Sequence, residues 1–389
     1  MITLVIQMKA VGIICEYNPF HNGHLYHIKK IKEMYPNHII VLVMSGPFTE
    51  RADISILTKW EKAEIALFYG VDLVIELPFI FATGSADLFA QGAITILKDL
   101  QVEYLVFGSE ENDIQKLTTL ALLQSNKLHN ENVKTYLKEG CNYPTALSKS
   151  LMVLSGIRIT SPNDLLGISY IKEIKKQNAS ITPITILRTN DYHSENLEQI
   201  GSASSIRKAL KENKNIDASV PSLTSKYIHH NIDIENLFPL LKYKIISEKE
   251  NLIHYHEVNE KLIPRIKKTI NGSNSLDEFI KMVKTKSETY SKIKRICLYI
   301  LCGLTKKEAK FYKKHPYIRV LGFTKKGRQY LNQIKKEFTL PYISNYSNDH
   351  NHLLKLDFRI HQIYTLAFPI ELQKQLLEEE FKTPPKKGD

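Results

Sequence analysis

The sequence predicts an α/β protein. A doubly wound, Rossmann-like domain with a parallel sheet, residues 8–215, should be followed by a basic, mainly helical domain, residues 221–382. Near-continuous runs of Val, Ile and Leu in the first half are typical of parallel strands buried on both faces. Helical periodicity dominates the second half. A chain of 389 residues is long enough for two domains of ordinary size.

The first half alternates short apolar runs, which predict strands, with amphipathic segments, which predict helices. Thr58–Glu61 has the pattern of a capping box, so it should begin a helix through Phe68 that Gly70 ends. A doubly wound sheet binds its ligand at the carboxyl ends of its strands, where the strand order reverses. The predicted strands are Val11–Tyr17, His38–Met44, Asp72–Leu77, Glu103–Phe107 and Ile184–Leu187.

The second half begins at about Pro221, where the apolar runs give way to helical patterns. The tail Thr383–Asp389 contains two prolines and two lysines, which predicts disorder. The clearest helical patterns are Leu237–Ile246, Glu278–Met282 and Thr289–Leu301.

Positive charge is concentrated in the second half. Residues 1–200 contain 18 Lys and Arg against 21 Asp and Glu, whereas residues 201–389 contain 35 against 20. This asymmetry favours a second half that binds a polyanion such as nucleic acid. The alternative is a set of solvated faces in a lysine-rich protein. The densest basic run comprises Lys306, Lys307, Lys310, Lys313, Lys314, Arg319, Lys325, Lys326 and Arg328.

Aromatic residues are interleaved with this basic run. Lys and Arg bind phosphates and aromatic rings stack on unpaired bases, so the mixture suits contact with RNA. The alternative is that the rings form the core of an ordinary helical domain. The aromatic residues are Phe311, Tyr312, Tyr317, Phe323 and Tyr330.

Several protein classes are excluded by what the chain lacks. No stretch approaches ~20 uninterrupted apolar residues, so no transmembrane helix is expected. The apolar segment Met1–Gln7 has no basic region before it and no cleavage pattern, so it does not predict a signal peptide. Four cysteines without CxxC spacing predict neither a zinc site nor disulfides. We therefore expect a cytoplasmic protein.

The strongest chemical signal is the segment Asn18–Leu25, directly after the first predicted strand. Gly23 allows a ligand to approach the backbone, and the helix that follows directs its N-terminal N–H groups at that ligand. His21 and His24 flank this glycine and could donate hydrogen bonds to phosphate oxygens in a phosphoryl-transfer transition state. The alternative is a pair of surface histidines. No third metal ligand is evident, so no protein-held metal is predicted.

The His-x-Gly-His turn resembles that of the nucleotidyltransferase superfamily. The longer segment Val11–His24 is more specific and resembles the bacterial tRNA(Met) cytidine acetate ligase family. One loop departs from that family, which usually has Gln-Arg-Gly-Glu-Pro where this chain has Glu50–Ile54. The resemblance continues at Met44–Gly46, Lys59–Trp60, Glu76–Pro78, Phe107–Glu110, Ser161–Gly167, Leu187–Arg188, Ser202–Arg207 and Tyr317–Phe323.

The resemblance implies an ATP-dependent ligase that acetylates the wobble cytidine of elongator tRNA(Met) to N4-acetylcytidine. Acetate, rather than acetyl-CoA, would be the donor. It would be activated as acetyl-adenylate, with release of AMP and diphosphate. Mg²⁺ is expected with the triphosphate, although no residue stands out as its ligand. The implied partners are tRNA(Met) and acetate, with no membrane and no obligate protein partner.

The resemblance also implies roles for individual residues. The catalytic residues would be His21 and His24. Lysines of the basic run, Lys313, Lys314, Lys325 and Lys326, would bind tRNA. The ATP-binding residues would be Ile14, Cys15, Glu16, Tyr17, Asn18, Pro19, Phe20, His21, Asn22, Gly23, His24, Leu25, Tyr26, His27, Gly108, Asn163, Arg188, Ser204, Ser205 and Arg207.

Purely structural roles are open for several of these residues. Gly108 could be a plain turn glycine, Asn163 a helix cap, and Arg188 a surface residue at a strand end. Ser204 and Ser205 could cap a helix rather than hold diphosphate.

Two other functions fit part of the sequence. An adenylyltransferase that builds a dinucleotide cofactor from ATP and a small phosphomonoester explains the histidine turn, but leaves the basic second half without a role. A non-catalytic tRNA-binding protein explains the charge, but not the presence together of His21, Gly23, His24, Arg188 and Arg207.

Overall fold

A computed structural model describes residues 7–188, 201–345 and 351–389, apart from the side chain of Asn351. Its sheet has the strand order β5-β4-β1-β2-β3-β6-β7, and β8 pairs with β6. The strands are β1 Ala10–Cys15, β2 Ile39–Ser45, β3 Leu73–Leu77, β4 Tyr104–Ser109, β5 Thr182–Leu187, β6 Ile318–Phe323, β7 Tyr342–Ile343 and β8 Lys386–Lys387.

Helices cover both faces of this sheet. Those before residue 215 are α1 Asn22–Met34, α2 Lys59–Phe68, α3 Phe79–Ala82, α4 Ala86–Asp99, α5 Ile114–Gln124, α6 Lys127–Lys138, α7 Tyr143–Ser155, α8 Pro162–Lys176 and α9 Ala203–Lys211. The later helices are α10 Ser222–Tyr227, α11 Phe238–Ser247, α12 Ile263–Thr269, α13 Leu276–Val283, α14 Tyr290–Leu301, α15 Lys306–Lys314, α16 Lys325–Ile334, α17 Asn351–Thr365 and α18 Ile370–Lys382.

The five predicted strands are confirmed as β1 to β5, and all are parallel. The chain runs from β1 outward through β2 to β3, then returns to the other side of β1 for β4 and β5. The strand order therefore reverses between β1 and β4. This is the position where a doubly wound sheet opens a crevice for a ligand.

The predicted capping box of α2 is also confirmed. The Thr58 hydroxyl accepts a hydrogen bond from the Glu61 backbone N–H, and a Glu61 carboxylate oxygen accepts one from the Thr58 N–H. Gly70 follows the helix with a φ of 105°, in the region that favours glycine.

The second half is mainly helical, as predicted, and it also contributes strands to the sheet. β6 pairs antiparallel with β3, in the register Glu76 with Arg319 and Leu73 with Phe323. The tail is not disordered, because β8 pairs with the end of β6. The division into residues 8–215 and 221–382 stays a prediction.

The aromatic residues of the basic run belong mostly to the core. Tyr312, Tyr317 and Tyr330 are buried, so these three rings are not available to stack on bases. The Tyr330 hydroxyl donates to the carbonyl oxygen of Leu100 at 2.6 Å. Phe311 is 38% exposed. The three tyrosines therefore form part of the protein core, which is the alternative to a role in stacking on RNA bases.

A buried cluster of charges attaches α18 to the sheet. Lys59 Nζ lies 3.0 Å from a carboxylate oxygen of Glu76 and 2.7 Å from one of Glu380. Arg319 Nη1 lies 2.6 Å from the other Glu380 oxygen. Each of these side chains is at most 5% exposed. Burial is tolerated because every charge faces an opposite one.

None of the helices in the described ranges is both long enough and apolar enough to cross a membrane.

Candidate active site

A cavity of about 430 Å³ opens at the carboxyl ends of β1, β4 and β5, where the strand order reverses. The first turns of α1, α4, α8 and α9 contribute to its wall. Helix N-termini carry partial positive charge, so four of them around one cavity favour an anionic ligand. In α1 the expected free N–H groups are not found, because the N–H groups of Asn22 and Gly23 already donate to the Ser219 carbonyl and to His21 Nδ1.

His21 and His24 begin helix α1 and form its capping box. His21 Nδ1 accepts a hydrogen bond from the Gly23 backbone N–H at 3.1 Å, and His24 Nδ1 accepts one from the His21 N–H at 3.2 Å. A neutral imidazole that accepts at Nδ1 carries its proton on Nε2. Each ring therefore has an Nε2–H donor for a ligand in the cavity.

Electrostatics keep these rings neutral. Burial, and next the Arg188 guanidinium, lower the pKa of His21 to about 3. Burial and the neighbouring His21 hold the pKa of His24 well below its usual value. Burial and Arg188 lower the pKa of His27 to about 4. The lowered pKa values favour uncharged rings at neutral pH, and an uncharged ring with its proton on Nε2 can donate a hydrogen bond to a ligand.

A buried lysine fixes the backbone where the turn between β1 and α1 begins. Lys62 is fully buried, and its ammonium group donates to the carbonyl oxygens of Glu16, Ser45 and Gly46 at 3.2, 2.7 and 2.9 Å. These carbonyls end β1 and β2, so one side chain ties both strand ends together. Burial lowers the pKa of Lys62 to about 7.

Most of the predicted ATP-binding segment lines the cavity, but part of it supports the turn from behind. Phe20 is fully buried and stacks on Tyr69 with ring centroids 5.3 Å apart. Asn22 donates through its side chain to the Ala218 carbonyl at 2.9 Å. The predicted residues that do not line the cavity are Pro19, Phe20, Asn22, Leu25 and Ser205.

The opposite wall contains Gly108, Asn163 and Arg188, and their binding of ATP stays a prediction. The Arg188 backbone N–H donates to the Ser109 carbonyl at 2.9 Å, which continues the β4–β5 pairing. A methyl group at position 108 would lie 3.0 Å from Arg188 Cγ, so Gly108 makes room for the arginine stem. Asn163 donates to the Glu110 carboxylate.

Helix α9 brings Arg207 to the cavity. Its guanidinium donates to the Asn18 carbonyl at 2.7 Å and to Asp53 Oδ2 at 2.9 Å. Ser204 lines the cavity, whereas Ser205 is buried beneath the helix start. The cap of α9 is Ser202, whose hydroxyl accepts from the Ser205 N–H at 3.1 Å.

The loop after β2 forms a wall that the sequence did not predict. It contributes Thr49, Glu50, Arg51 and Asp53. Asp53 also forms an ion pair with Lys294 of α14, which connects this wall to the second half of the chain. The signal was the departure of this loop from the family pattern. Further apolar lining comes from Phe89, Phe107, Leu165, Leu166 and Tyr170.

The four lysines predicted to bind tRNA lie at two edges of the sheet. Because β6 is antiparallel to β3, Lys313 and Lys314 precede it at the carboxyl edge, where the cavity opens. Lys325 and Lys326 follow it at the opposite edge and are exposed. Lys313 is half-buried, with Nζ 3.1 Å from His256 Nε2.

The chain is similar to known proteins over nearly its whole length. Residues 8–380 match the family described as HIGH Nucleotidyl Transferase. The tRNA(Met) cytidine acetate ligase of Anoxybacillus flavithermus is 39% identical over 97% of this chain and 100% of that protein. The ligase of the same description from Bacillus subtilis is 36% identical over 98% of both.

Solved structures agree with the sequence relatives. Apo Thermotoga maritima TmcAL has a TM-score of 0.90 at 30% identity, over 98% of this chain and 99% of that one. The same protein bound with alpha-thio ATP has a TM-score of 0.87 at 29% identity, with the same coverage. Together with the full-length relatives, this similarity shows that the chain belongs to the tRNA(Met) cytidine acetate ligase family of HIGH nucleotidyl transferases.

Proposed function

We propose that this protein is an ATP-dependent ligase that acetylates the wobble cytidine of elongator tRNA(Met) to N4-acetylcytidine, with acetate as the donor. The observation that carries the proposal is the neutral histidine pair at the start of α1, in the cavity where the strand order reverses. Its relatives are named for the same activity, and the ATP-analogue complex of TmcAL supports a nucleotide in this cavity.

In the first step, an acetate oxygen attacks the α-phosphorus of ATP in line, and diphosphate leaves. Negative charge shifts among the phosphate oxygens as this happens. The Nε2–H groups of His21 and His24 would donate to oxygens of the α-phosphate, while Gly23 leaves room for it. Arg188 and Arg207 would supply positive charge, and the start of α9 near Ser204 would hold the departing diphosphate.

In the second step, the exocyclic amine of cytidine attacks the acetyl carbon of acetyl-adenylate, and AMP leaves. A mixed anhydride is already reactive, so this step needs chiefly the correct placement of the amine. The cavity is open to solvent at the carboxyl edge of the sheet, where a nucleotide of the tRNA could enter.

Mg²⁺ would accompany ATP on its phosphate oxygens. Within residues 7–188, 201–345 and 351–389, no three His, Cys, Asp or Glu side chains are grouped so that they could hold a metal ion. The nearby carboxylate of Asp53 faces Lys294 and Arg207. The described residues therefore fit a metal brought by the triphosphate and not a resident metal site.

The second half of the chain would hold the tRNA. Its net positive charge supports this role, and Lys313 and Lys314 lie at the edge of the sheet where the cavity opens. Lys325 and Lys326 could contact a part of the tRNA that reaches the opposite edge. Because ATP and tRNA are both cytoplasmic, we propose the cytoplasm as its location.

The adenylyltransferase alternative is not favoured by any observation in the structure. The family match extends through residue 380 and so includes the basic half, which that alternative leaves without a role.

Incubation of the purified protein with ATP and labelled acetate, with and without tRNA(Met), tests the proposal. We expect AMP and diphosphate release to depend on acetate, and mass spectrometry to find labelled N4-acetylcytidine in the tRNA. Labelled acetyl-CoA, supplied without acetate or ATP, should leave the tRNA unlabelled. Label transferred from acetyl-CoA would overturn the proposed donor.

A further inference from the structure

Three carboxylates line the same side of the cavity, and they differ in their partners. Asp53 faces Lys294 and Arg207, and although burial opposes it, these cations lower the pKa of Asp53. Glu50 lies 4.0 Å from Arg295. Within the described part of the chain, the side chain of Glu16 has no cation at ion-pair distance, and its one hydrogen bond is from the Glu50 N–H to Oε1 at 2.7 Å.

The backbone of Glu16 is held in place close to the histidine turn. It is the first residue after β1, five residues before His21, and its carbonyl accepts from Lys62 at 3.2 Å. The backbone under the carboxylate is therefore held by the same buried lysine that ties β1 to β2. Glu16 lies between the histidine turn and the loop after β2, and its second oxygen is left for a ligand.

We propose that Glu16 is the general base of acetyl transfer, which removes the proton from the cytidine N4 amine as that nitrogen attacks the acetyl carbon. This inference rests on the proposed function above. The N4 lone pair forms the bond to carbon, and the bond between that carbon and the phosphate oxygen breaks. AMP leaves with that electron pair, and the N4 proton passes to the Glu16 carboxylate.

The histidines cannot perform this task. The Nδ1 atoms of His21 and His24 already accept backbone hydrogen bonds, and their Nε2 atoms already carry protons. Their lowered pKa values mean that neither ring holds a second proton at neutral pH. Asp53 is a weak base because of its two cations. Among the described residues of this wall, Glu16 is the carboxylate without a cation at ion-pair distance.

The charged and titratable groups around Glu16 make it a suitable base near neutral pH. Burial is the main cause that raises the pKa of Glu16 to about 7, and the charges of Glu50 and Asp53 add to it. The Glu50 N–H and Arg207 act in the opposite direction. A base works best when its pKa lies near the working pH. The other titratable groups facing it are Lys62, Cys15 and Tyr170.

The substitution Glu16→Gln tests this role, because Gln keeps an oxygen that can accept from the Glu50 N–H. Because Glu16 also lines the proposed nucleotide cavity, we expect acetate-dependent ATP–diphosphate exchange to fall as well, but by much less than the transfer step. Transfer from synthetic acetyl-adenylate to tRNA(Met) should fall by ~10²–10⁴, the usual effect of losing a general base. Equal loss of both activities would overturn the role and leave Glu16 as a nucleotide-binding or structural residue.

The pH profile of transfer is a second readout, which a structural role would not change. The wild-type rate should rise with pH to a plateau, with a midpoint near 7, and Glu16→Gln should lose this midpoint. Glu50→Gln is the matched control. It removes a neighbouring negative charge, so the midpoint should move to lower pH without disappearing.

An unchanged profile in Glu16→Gln would contradict the proposal. Wild-type enzyme that forms no N4-acetylcytidine at all would instead remove the proposed function, and this inference with it.

Discussion

His24 accepts a hydrogen bond at Nδ1 from the backbone N–H of His21, so the two proposed catalytic rings are also the capping box of the helix that follows them. Their rings stack with centroids 3.8 Å apart. Capping boxes are usually built from Ser or Thr and Glu. Histidine performs the same capping through Nδ1 and keeps a proton on Nε2, so one pair of side chains can start the helix and also serve a ligand.

The double role of His24 can be separated by substitution. Glu at this position can also complete a capping box, but it places a negative charge near the phosphates. We expect both His24→Glu and His24→Ala to lower acetate-dependent ATP–diphosphate exchange by at least ~10²–10³, the effect of losing one transition-state donor. His24→Glu should keep the wild-type melting curve. Exchange within a few-fold of wild type in either variant would contradict the assignment.

Stability should depend on the half-buried His27 of the cavity wall at mildly acidic pH. His27 has a pKa of about 4 in the folded chain because of burial and Arg188, and a usual pKa near 6.5 when unfolded. Below pH 6.5 the His27 ring binds a proton in the unfolded state, whereas in the folded state it stays uncharged until the pH falls to about 4. Stability from this residue is therefore complete above pH 6.5 and is lost as the pH falls to about 4.

The substitution His27→Gln removes this effect. The difference in unfolding free energy between wild type and variant should change by up to about 1.4 kcal/mol per pH unit across this window. Denaturant titrations at several pH values measure it. A difference that is constant from pH 7 to pH 4 would mean that His27 is not desolvated.

The buried charge cluster should be sensitive to loss of one partner. Although burial opposes it, Arg319 and Lys59 lower the pKa of Glu380 to about 2. Glu380→Gln leaves these cations without one of their counterions and should cost ~3–5 kcal/mol of stability. The control Glu378→Gln breaks an exposed pair with Lys382 on the same helix and should cost less than ~1 kcal/mol. Similar losses in both would refute the role of the cluster.

The charge asymmetry gives a test of tRNA binding. Changing Lys313, Lys314, Lys325 and Lys326 together to Gln should weaken tRNA binding and flatten its dependence on salt. The logarithmic slope should decrease by about 0.7–0.9 for each phosphate that a lysine no longer neutralises. Exchange of ATP with diphosphate should survive, because the nucleotide cavity lies in the first half. If tRNA affinity is unchanged across the salt series, these lysines are only solvated.

Substituting the two lysine pairs separately shows which edge of the sheet contributes more to tRNA binding. The pair Lys313 and Lys314 lies at the edge where the cavity opens, so its substitution should account for more of the loss than that of Lys325 and Lys326. Equal effects would mean that the tRNA reaches both edges.

Local patterns in the sequence predicted much of the fold. β1 and β2 are nearly continuous apolar runs, and the capping box of α2 is contained in four consecutive residues. β6 was missed because its partner β3 lies about 240 residues earlier in the chain, and because Arg319 made the segment look like part of a basic surface. Only the folded chain brings Glu76 and Glu380 to neutralise that arginine.

In the candidate site, too, contiguous features could be predicted from the sequence, and contacts between distant segments could not. The histidine turn is contiguous and could be predicted from its residue types and spacing. The ion pairs of Asp53 with Lys294 and Arg207 join three distant segments, so no spacing reveals them. The hydrogen bond from the Glu50 N–H to Glu16 is likewise a product of folding, because the two residues follow different strands.

Transfer of oxygen-18 from acetate to AMP shows whether acetate itself attacks ATP, as the proposed acetyl-adenylate route requires. The protein is incubated with ATP, tRNA(Met) and acetate labelled with ¹⁸O in both oxygens. The mass of the AMP product is then measured by mass spectrometry. Attack by acetate on the α-phosphorus, followed by cleavage of the carbon–oxygen bond, predicts one ¹⁸O atom in each AMP. AMP without ¹⁸O, beside tRNA that has nevertheless been acetylated, would contradict the acetyl-adenylate route.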